Sequence, residues 1–312
     1  GLGDVYKRQV RELRSGLPHL RHVVCCGGED DLTEDVLRFE DVMESGGAEL
    51  ADIAPVDPDD TKVVLYTSGT TGNPKAVRHS HNTLAKAMDN GVIAWGLDER
   101  DMMLMPSPVT HVTGYVNGIE LPFFTDTKVL LMESWVVSRA VELIETHHAT
   151  TCVSATPFLR ELVDACRDQG KDLPSFRLFA CGGAAVPSAL IYEASEVLAN
   201  CSAVRVYGST EVPLVTVGFV ANDETHLAAE TDGRVFNYEV KICDDDGQDV
   251  GRHTDGEVWV RGPAMMQGYR DAEQNAAAFS EEGFFKTGDI GQLVDSEAIV
   301  ITDRNKDIII RG

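Results

Sequence analysis

Hydrophobic and polar positions follow two different patterns along this chain. From about residue 129 to residue 206, short apolar runs alternate with segments in which apolar residues recur at helical spacing. The apolar runs cover residues 129–131, 151–153, 178–180 and 204–206, and the helical segments cover residues 138–147, 156–169 and 187–198. Strands that alternate with helices are typical of an α/β layer with a largely parallel sheet. We therefore predict the α/β fold class for this part of the chain.

Beyond residue 211 the pattern changes to that of a β-rich unit. Residues 235–242 alternate in side-chain character and lead into the turn sequence DDDG at 244–247. Further strand candidates are residues 256–261, 284–286 and 298–302. We predict layered α/β sheets over residues 1–210, a β-rich, barrel-like subdomain over 211–303 and a hinge over 304–312. The chain lacks an initial methionine and stops after an apolar run, so we interpret it as a fragment truncated at both ends.

The net charge argues against one class of binding partner, and the cysteine spacing argues against two kinds of site. The 312 residues include 27 basic and 51 acidic side chains, which gives a formal net charge of −24. A negative field of that size repels phosphate backbones and anionic lipid, so we expect no nucleic-acid partner. The seven cysteines show no Cys-x-x-Cys spacing, which favours free thiols in a reducing cytoplasm over a zinc site or a disulfide framework. No apolar run is long enough for a transmembrane segment, and the sequence does not indicate an oligomeric state.

Residues 66–75, YTSGTTGNPK, carry the strongest chemical signal. They follow an apolar run at 63–65, which predicts a buried strand, and they precede a predicted helix that His79 or Ser80 would cap. Glycines let backbone N–H groups turn toward an anion, hydroxyls donate further hydrogen bonds, and Lys75 adds a positive charge. A Walker loop is excluded because Pro74 precedes the lysine and Ala76 follows it. The segment therefore predicts a polyphosphate-binding loop of another kind.

Three further clusters carry candidate chemistry. Residues 181–185 (CGGAA) follow the strand at 178–180, and their small side chains let a flat ring approach the backbone closely. Residues 207–211 (YGSTE) follow the strand at 204–206 and offer an aromatic plane, hydroxyls and a carboxylate able to hold Mg²⁺. Residues 286–289 (KTGD) present a carboxylate suited to the two hydroxyls of a ribose. Since ligands collect at the carboxyl ends of parallel strands, these clusters predict a nucleotide site.

Taken together, the four clusters resemble the adenylate-forming superfamily, which comprises acyl-CoA synthetases, adenylation domains of peptide synthetases and luciferases. The resemblance covers roughly residues 62–312 and keeps the family's order of motifs. In that family the first loop binds the β and γ phosphates of ATP, and the small-residue cluster lines the adenine site. The resemblance therefore implies phosphate contacts by Thr67, Ser68, Gly69, Thr70, Thr71, Gly72 and Lys75, and adenine contacts by Gly182, Gly183 and Ala184.

The third cluster has the richest set of implied roles. By resemblance, Tyr207, followed by Gly208, would stack on adenine. Thr210 would contact the α-phosphate, and Glu211 would ligate Mg²⁺.

The remaining implied roles lie elsewhere in the chain. Asp289 would bind the ribose together with Arg304, and Lys306 would lie at the hinge to a small C-terminal domain that this chain lacks. His111, in a segment that resembles the acid-pocket region of acyl-CoA synthetases, would lie near the acyl carboxylate. His79 and His81, by contrast, are interpreted as solvated residues at a helix start.

The resemblance also implies a reaction. It is the ATP-dependent activation of a small carboxylic acid through an acyl-adenylate, followed by thioester formation with coenzyme A, with ATP, Mg²⁺ and coenzyme A as cofactors and co-substrates. We favour an acyl-CoA ligase for fatty, alicyclic or aromatic acids, because residues 78–81 and 109–111 look most like such ligases. Two alternatives stay open. One is an amino-acid adenylation domain of a peptide synthetase, which would need an acidic residue for the substrate ammonium; the other is a non-catalytic nucleotide-binding paralogue.

Overall fold

The computed structural model describes residues 12–14, 16–26, 36–46, 55–67 and 74–304. Contacts divide the chain into two units, Gly1–Val56 and Asp57–Gly312. In the described part of the first unit, strand β1 (Val23–Cys25) pairs in parallel with β2 (Val36–Arg38), and helix α1 (Phe39–Glu44) follows. The predicted boundaries at residues 210 and 303 stay predictions.

The second unit holds the remaining described elements. Its strands are β3 (Thr61–Thr67), β4 (Lys75–Ser80), β5 (Met102–Met105), β6 (Lys128–Leu131), β7 (Thr151–Ser154), β8 (Leu178–Cys181), β9 (Ser202–Arg205), β10 (Thr216–Val217), β11 (Arg234–Val235), β12 (Glu239–Cys243), β13 (Gly256–Arg261), β14 (Gly268–Tyr269), β15 (Phe285–Leu293) and β16 (Ile299–Arg304). Its helices are α2 (His81–Trp95), α3 (Val112–Gly114), a π-helix (Tyr115–Glu120), α4 (Leu121–Thr125), α5 (Val137–His147), α6 (Thr156–Gln169), α7 (Ser188–Val197), α8 (Thr225–Glu230) and α9 (Ala272–Ala278), with 3₁₀ turns at Asn222–Glu224 and Asp295–Glu297.

Five strands form an all-parallel sheet in the order β6-β5-β7-β8-β9. Every residue of β7 and β8 is buried, as expected of strands that are covered on both faces. Helices α5 and α7 pack on either side of α6. This arrangement confirms the predicted layered α/β fold class.

Helix α6 shows why local patterns define these elements well. Leu159, Leu162, Val163 and Cys166 are buried at the spacing of one helix face. Gly170, at φ +63°, ends the helix in the left-handed conformation that glycine adopts readily. The bounds agree with the predicted segment 156–169.

The β-rich part of the chain is an antiparallel sheet in the order β12-β13-β15-β16. Among the described residues, β12 and β16 lie at its two edges, and no barrel closes between them. Strand β15 carries a bulge opposite Glu257 and Trp259 of β13, where Gly288 adopts φ +75°. Asp289 therefore lies within a strand rather than in a turn.

The segment around the first cluster differs from its predicted form. Residues 61–67 do form a strand, β3, but it pairs antiparallel with β4, so a second strand and not a helix follows the loop. Nor is β3 buried throughout, since Val64 is 39% and Tyr66 is 65% exposed. Helix α2 begins only at His81, where Ser80 caps it in a reciprocal capping box. Strand β14 pairs with the other side of β4 and completes a three-stranded sheet.

Among the described residues, two hydrophobic cores support these layers. The larger one packs around the parallel sheet, and the smaller one lies beside the antiparallel sheet, where it includes Val77, Val258 and Tyr269. Within the described part of the chain, no helix combines the length and the hydropathy needed to cross a bilayer.

Candidate functional site

A cavity of about 1220 Å³ opens at the carboxyl ends of β7, β8 and β9. Its other walls come from the hairpin β3–β4, helix α2, the segment 107–121, helix α9 and strands β13, β14 and β15. Ten of the predicted site residues line it: Thr67, Lys75, His111, Gly182, Gly183, Tyr207, Gly208, Thr210, Glu211 and Asp289. The structure thus brings together clusters that are separated by more than two hundred residues in the sequence.

Other predicted site residues are not placed in the cavity. Ala184 belongs to the turn after β8 but is not among the lining residues. Arg304 is opposite Asp289 in the β15–β16 ladder, and its role toward a ribose stays a prediction. Outside the described residues lie Ser68, Gly69, Thr70, Thr71, Gly72 and Lys306.

Tyr207 and Asp289 are joined directly. The phenol hydroxyl of Tyr207 donates a 2.8 Å hydrogen bond to Oδ2 of Asp289. Only 4% of Asp289 is exposed, and its backbone N–H donates to the hydroxyl of Thr287. The hydrogen bond fixes an aromatic face and a carboxylate at adjacent places in the cavity, which suits a base attached to a ribose.

Glu211 is held by a residue that the sequence analysis missed. The hydroxyl of Tyr269 donates a 2.7 Å hydrogen bond to Oε1 of Glu211, and Nζ of Lys75 lies 4.9 Å from the centre of the Tyr269 ring. Burial, reinforced by the neighbouring Glu211 carboxylate, raises the pKa of Tyr269, so its phenol stays protonated and remains a donor. No local signal points to this contact, because 58 residues separate the partners.

Glu211 also meets the chemical requirement for the implied Mg²⁺. Mg²⁺ is usually bound by one or two carboxylates together with phosphate oxygens and water. The carboxylate lines the cavity, and the hydrogen bond that it accepts from Tyr269, the one it makes within the described ranges, leaves lone pairs for a cation. No group of three or more His, Cys, Asp or Glu side chains suited to a metal ion occurs in the described ranges. The Glu211 carboxylate thus fits a cation whose other ligands are phosphate oxygens and water.

His79 is buried and not solvated, so its interpretation as a solvated residue at a helix start is wrong. No part of its side chain is exposed, because it belongs to β4 and not to the helix. Its Nε2 lies 2.7 Å from the carbonyl oxygen of Thr210, and its Nδ1 lies 3.0 Å from the hydroxyl of Thr83. A carbonyl can only accept, so Nε2 carries the proton and Nδ1 accepts from Thr83. Burial lowers the pKa of His79, which keeps this neutral form.

Two glycines are required by the way the strand ends meet. A Cβ on Gly182 would lie 2.5 Å from the carbonyl oxygen of Val206, and one on Gly208 would lie 2.6 Å from the backbone nitrogen of Leu214. Either contact is shorter than real Cβ atoms show, and its partner is backbone. These glycines let the segments that follow β8 and β9 lie against their neighbours, in addition to any role toward a ligand.

His111 lies at the N-terminus of α3, with its ring on the cavity. Its Nδ1 accepts a 3.2 Å hydrogen bond from the backbone N–H of Thr113, which places the ring proton on Nε2. Desolvation lowers the pKa of His111. The neutral ring thus offers one N–H donor to a group in the cavity.

Two regions of the cavity differ in polarity. We call Lys75, Tyr207, Thr210, Glu211, Tyr269 and Asp289 the polar end. We call Ala87, Met88, Gly91, Trp95, Leu97, Val112, Val116, Leu121 and Leu214 the apolar wall. Helix α2 supplies one side of that wall and the segment 112–121 supplies another, and none of the lining residues from these two elements is charged. A charged ligand group is thus accommodated at the polar end and an uncharged one along the apolar wall.

A comparison with protein-family models identifies the family of this chain. A family model described as "AMP-binding enzyme" matches residues 4–270. The chain belongs to this family of AMP-binding enzymes. The residue roles given above stay predictions.

The matched relatives of known function are longer than this chain. The medium-chain fatty-acid–CoA ligase of Escherichia coli (strain K12) is 31% identical over 308 residues, which cover 97% of this chain and 53% of that protein. The 4-coumarate-CoA ligase 1 of Narcissus pseudonarcissus is 30% identical, over 94% of this chain and 55% of that protein. The chain thus spans about half the length of the curated relatives it matches.

Solved structures share the fold. The o-succinylbenzoate coenzyme A synthetase of Bacillus subtilis, in complex with ATP and a magnesium ion, superposes with a TM-score of 0.78 at 25% identity. The match covers 97% of this chain and 63% of that chain.

Proposed function

We propose that the protein to which this chain belongs is an acid–thiol ligase that forms AMP. It activates a carboxylic acid with ATP to an acyl-adenylate and then transfers the acyl group to coenzyme A. The observation that carries the proposal is the convergence of Lys75, Glu211 and Asp289 on one cavity that also has an uncharged wall. The coenzyme A ligases among the relatives support the same class of reaction.

The first step joins two anions. The carboxylate oxygen of the acid attacks the α-phosphorus, and the bond to the pyrophosphate leaving group breaks. Lys75 offsets the phosphate charge, and the Thr210 hydroxyl can donate to a phosphate oxygen. Mg²⁺, when bound at Glu211, supplies further neutralisation of the phosphates. The task of the side chains is therefore alignment and charge compensation.

The nucleoside part is held by the other half of the polar end. The ring of Tyr207 offers a stacking face for adenine, and the Asp289 carboxylate can accept hydrogen bonds from the ribose hydroxyls. His111 can donate from Nε2 to the carboxylate of the bound acid. In the second step the sulfur of coenzyme A attacks the acyl carbon and AMP leaves, so no cysteine of the chain needs to act as a nucleophile.

The uncharged wall favours a ligase for neutral acids over an amino-acid adenylation domain. An amino acid brings an ammonium group into the acyl site, where an acidic partner would be needed to offset its desolvation. Helix α2 and the segment 112–121 offer none among their lining residues. We therefore propose fatty, alicyclic or aromatic acids as the substrate class. The cytoplasm remains the proposed location, on the argument from cysteine spacing.

The test is acid-dependent exchange of pyrophosphate into ATP by the full-length gene product. Straight-chain, alicyclic, aromatic and amino acids are compared, with omission of the acid as the control, and release of AMP on addition of coenzyme A is measured next. Exchange with a neutral acid, followed by coenzyme A-dependent AMP release, is expected. Tight binding of Mg·ATP without exchange for any acid would replace the proposal by a non-catalytic nucleotide-binding protein.

A further inference from the structure

The face of helix α2 that lines the cavity begins near the polar end. Ser80 and His79 precede the helix, and His79 contacts Thr210. Ala87, Gly91 and Trp95 follow one another at intervals of one turn on the lining face. Eight residues of helix separate Ala87 from Trp95, which corresponds to about 12 Å along the axis. An extended acyl tail can therefore lie along this face.

Trp95 rests directly on Gly91. A Cβ built on Gly91 would lie 3.0 Å from Cζ3 and 3.2 Å from Cε3 of the Trp95 ring, and 3.6 Å from Cδ2 of Leu214. Glycine is unfavourable inside a helix, so Gly91 costs helix stability at this position. Here the missing side chain leaves room for the indole ring beside the space that the cavity occupies.

The end of the helix that carries Trp95 is fixed. The backbone carbonyl of Trp95 accepts a 2.9 Å hydrogen bond from Nη1 of Arg177, whose guanidinium also pairs with the buried Asp101. Gly96 terminates the helix at φ +59°, and the N–H of Leu97 returns to the carbonyl of Val92. Only 4% of Trp95 is exposed, and it lines the cavity at this anchored end of the helix.

We propose that the acid taken by this site has an uncharged hydrocarbon tail that lies along Ala87, Gly91 and Trp95, and that the Trp95 ring, seated on Gly91, sets the longest tail that is admitted. The inference rests on the proposed function and makes it more specific. It assigns substrate length to two residues of helix α2 that take no part in binding the nucleotide.

Gly91→Ala is the sharper test, because alanine favours the helix and the variant is expected to fold. Its methyl group needs the Trp95 ring or the acyl tail to move. In the full-length protein, kcat/KM for pyrophosphate exchange is measured for unbranched acids from butanoate to hexadecanoate. We expect the longest accepted acids to lose about tenfold or more, while the shortest keep their rate. Ile93→Ala is the matched control, since Ile93 lies on the same helix and is 64% exposed.

Trp95→Leu should act in the opposite direction and shift the longest accepted acid upward. Its thermal unfolding midpoint is recorded beside the parent, and if this variant does not fold, Gly91→Ala alone decides. An equal loss for all lengths in Gly91→Ala, or an unchanged length profile in it, would overturn the assignment.

Octanoate and octanedioate form a second pair, because they differ only by a charge at the end of the tail. Preference for octanoate supports an uncharged tail. Exchange with octanedioate alone would refute this inference while leaving the ligase reaction in place. Absence of exchange with every acid would instead refute the reaction itself.

Discussion

The polar end of the cavity is held by hydrogen bonds between side chains, whereas the side chains of the apolar wall meet through packing. At the polar end, Tyr207 is bonded to Asp289 and Tyr269 to Glu211. Along the apolar wall, contacts such as that of Trp95 on Gly91 set only the available space. Hydrogen bonds fix direction and protonation, while packed groups tolerate exchange for others of similar volume. We therefore expect changes of equal size to affect the reaction at the polar end and the choice of acid at the apolar wall.

Glu211→Gln should have the largest effect on the reaction. Glutamine keeps the size of the side chain and can still accept the hydrogen bond from Tyr269, but it removes the negative charge that suits Mg²⁺. We expect kcat for acid-dependent pyrophosphate exchange to fall by about 100-fold or more, with the thermal unfolding midpoint close to that of the parent. Exchange at the parent rate would show that the carboxylate is not needed.

Tyr269→Phe should have the next largest effect. It removes the hydroxyl that orients the Glu211 carboxylate, and a hydrogen bond to a charged group contributes about 1.5–3 kcal/mol. If most of that acts in the transition state, kcat falls by about tenfold or more. Tyr238→Phe is the matched control, because its hydroxyl donates at 2.9 Å to the carbonyl of Pro213 and not to a carboxylate. Equal losses in the two variants would contradict a role for Tyr269 through Glu211.

The parallel sheet and the two clusters that follow β8 and β9 could be predicted because their signals are local. A buried strand is an uninterrupted apolar run, and helix α6 shows its buried face at helical spacing. The rule that ligands collect at the carboxyl ends of parallel strands then brings Gly182 and Tyr207 to the same cavity.

Strand β4 and the burial of His79 could not be predicted, because both depend on contacts with residues that are distant in sequence. The polar-looking segment 75–80 is a strand because β3 and β14 pair with its two sides, and β14 lies nearly two hundred residues away. The burial of His79 depends on Thr210, 131 residues further along. The local pattern of side chains around residues 75–80 indicates neither the pairing with β14 nor the contact with Thr210.

His79→Leu tests whether the support beneath the polar end matters for stability. Leucine fills the buried space but leaves the Thr210 carbonyl without its donor, so we expect the free energy of unfolding to fall by about 1–2 kcal/mol. His79→Gln can present an N–H near the position of Nε2 and should lose less. Denaturant unfolding of the three proteins measures the difference, and an unchanged midpoint in His79→Leu would contradict the assigned hydrogen bond.

The same residue predicts a dependence of stability on pH. Burial holds the pKa of His79 below its ordinary value of 6.5 in the folded protein. Since the unfolded chain takes up the proton more readily, this contribution to stability is complete above the unfolded pKa and is lost as the pH falls through the folded pKa. Between about pH 8 and about pH 5, the unfolding midpoint of the parent should therefore fall more than that of His79→Gln. If the midpoints of the two proteins changed equally with pH, His79 would not be a source of the pH dependence.

Met88→Leu should have the smallest effect on the reaction, and it is the most direct test of the difference between the apolar wall and the polar end. Met88 is only 6% exposed and belongs to the apolar wall, and leucine conserves most of its volume. Such exchanges usually cost less than about 1.5 kcal/mol of stability, and no hydrogen bond or charge is lost. We expect kcat for the best acid to stay close to that of the parent, with at most a small change in the ranking of acids, as measured by pyrophosphate exchange. Glu211→Gln alters the size of its side chain just as little, so a large loss of kcat in Met88→Leu would show that the apolar wall also aligns the reacting groups.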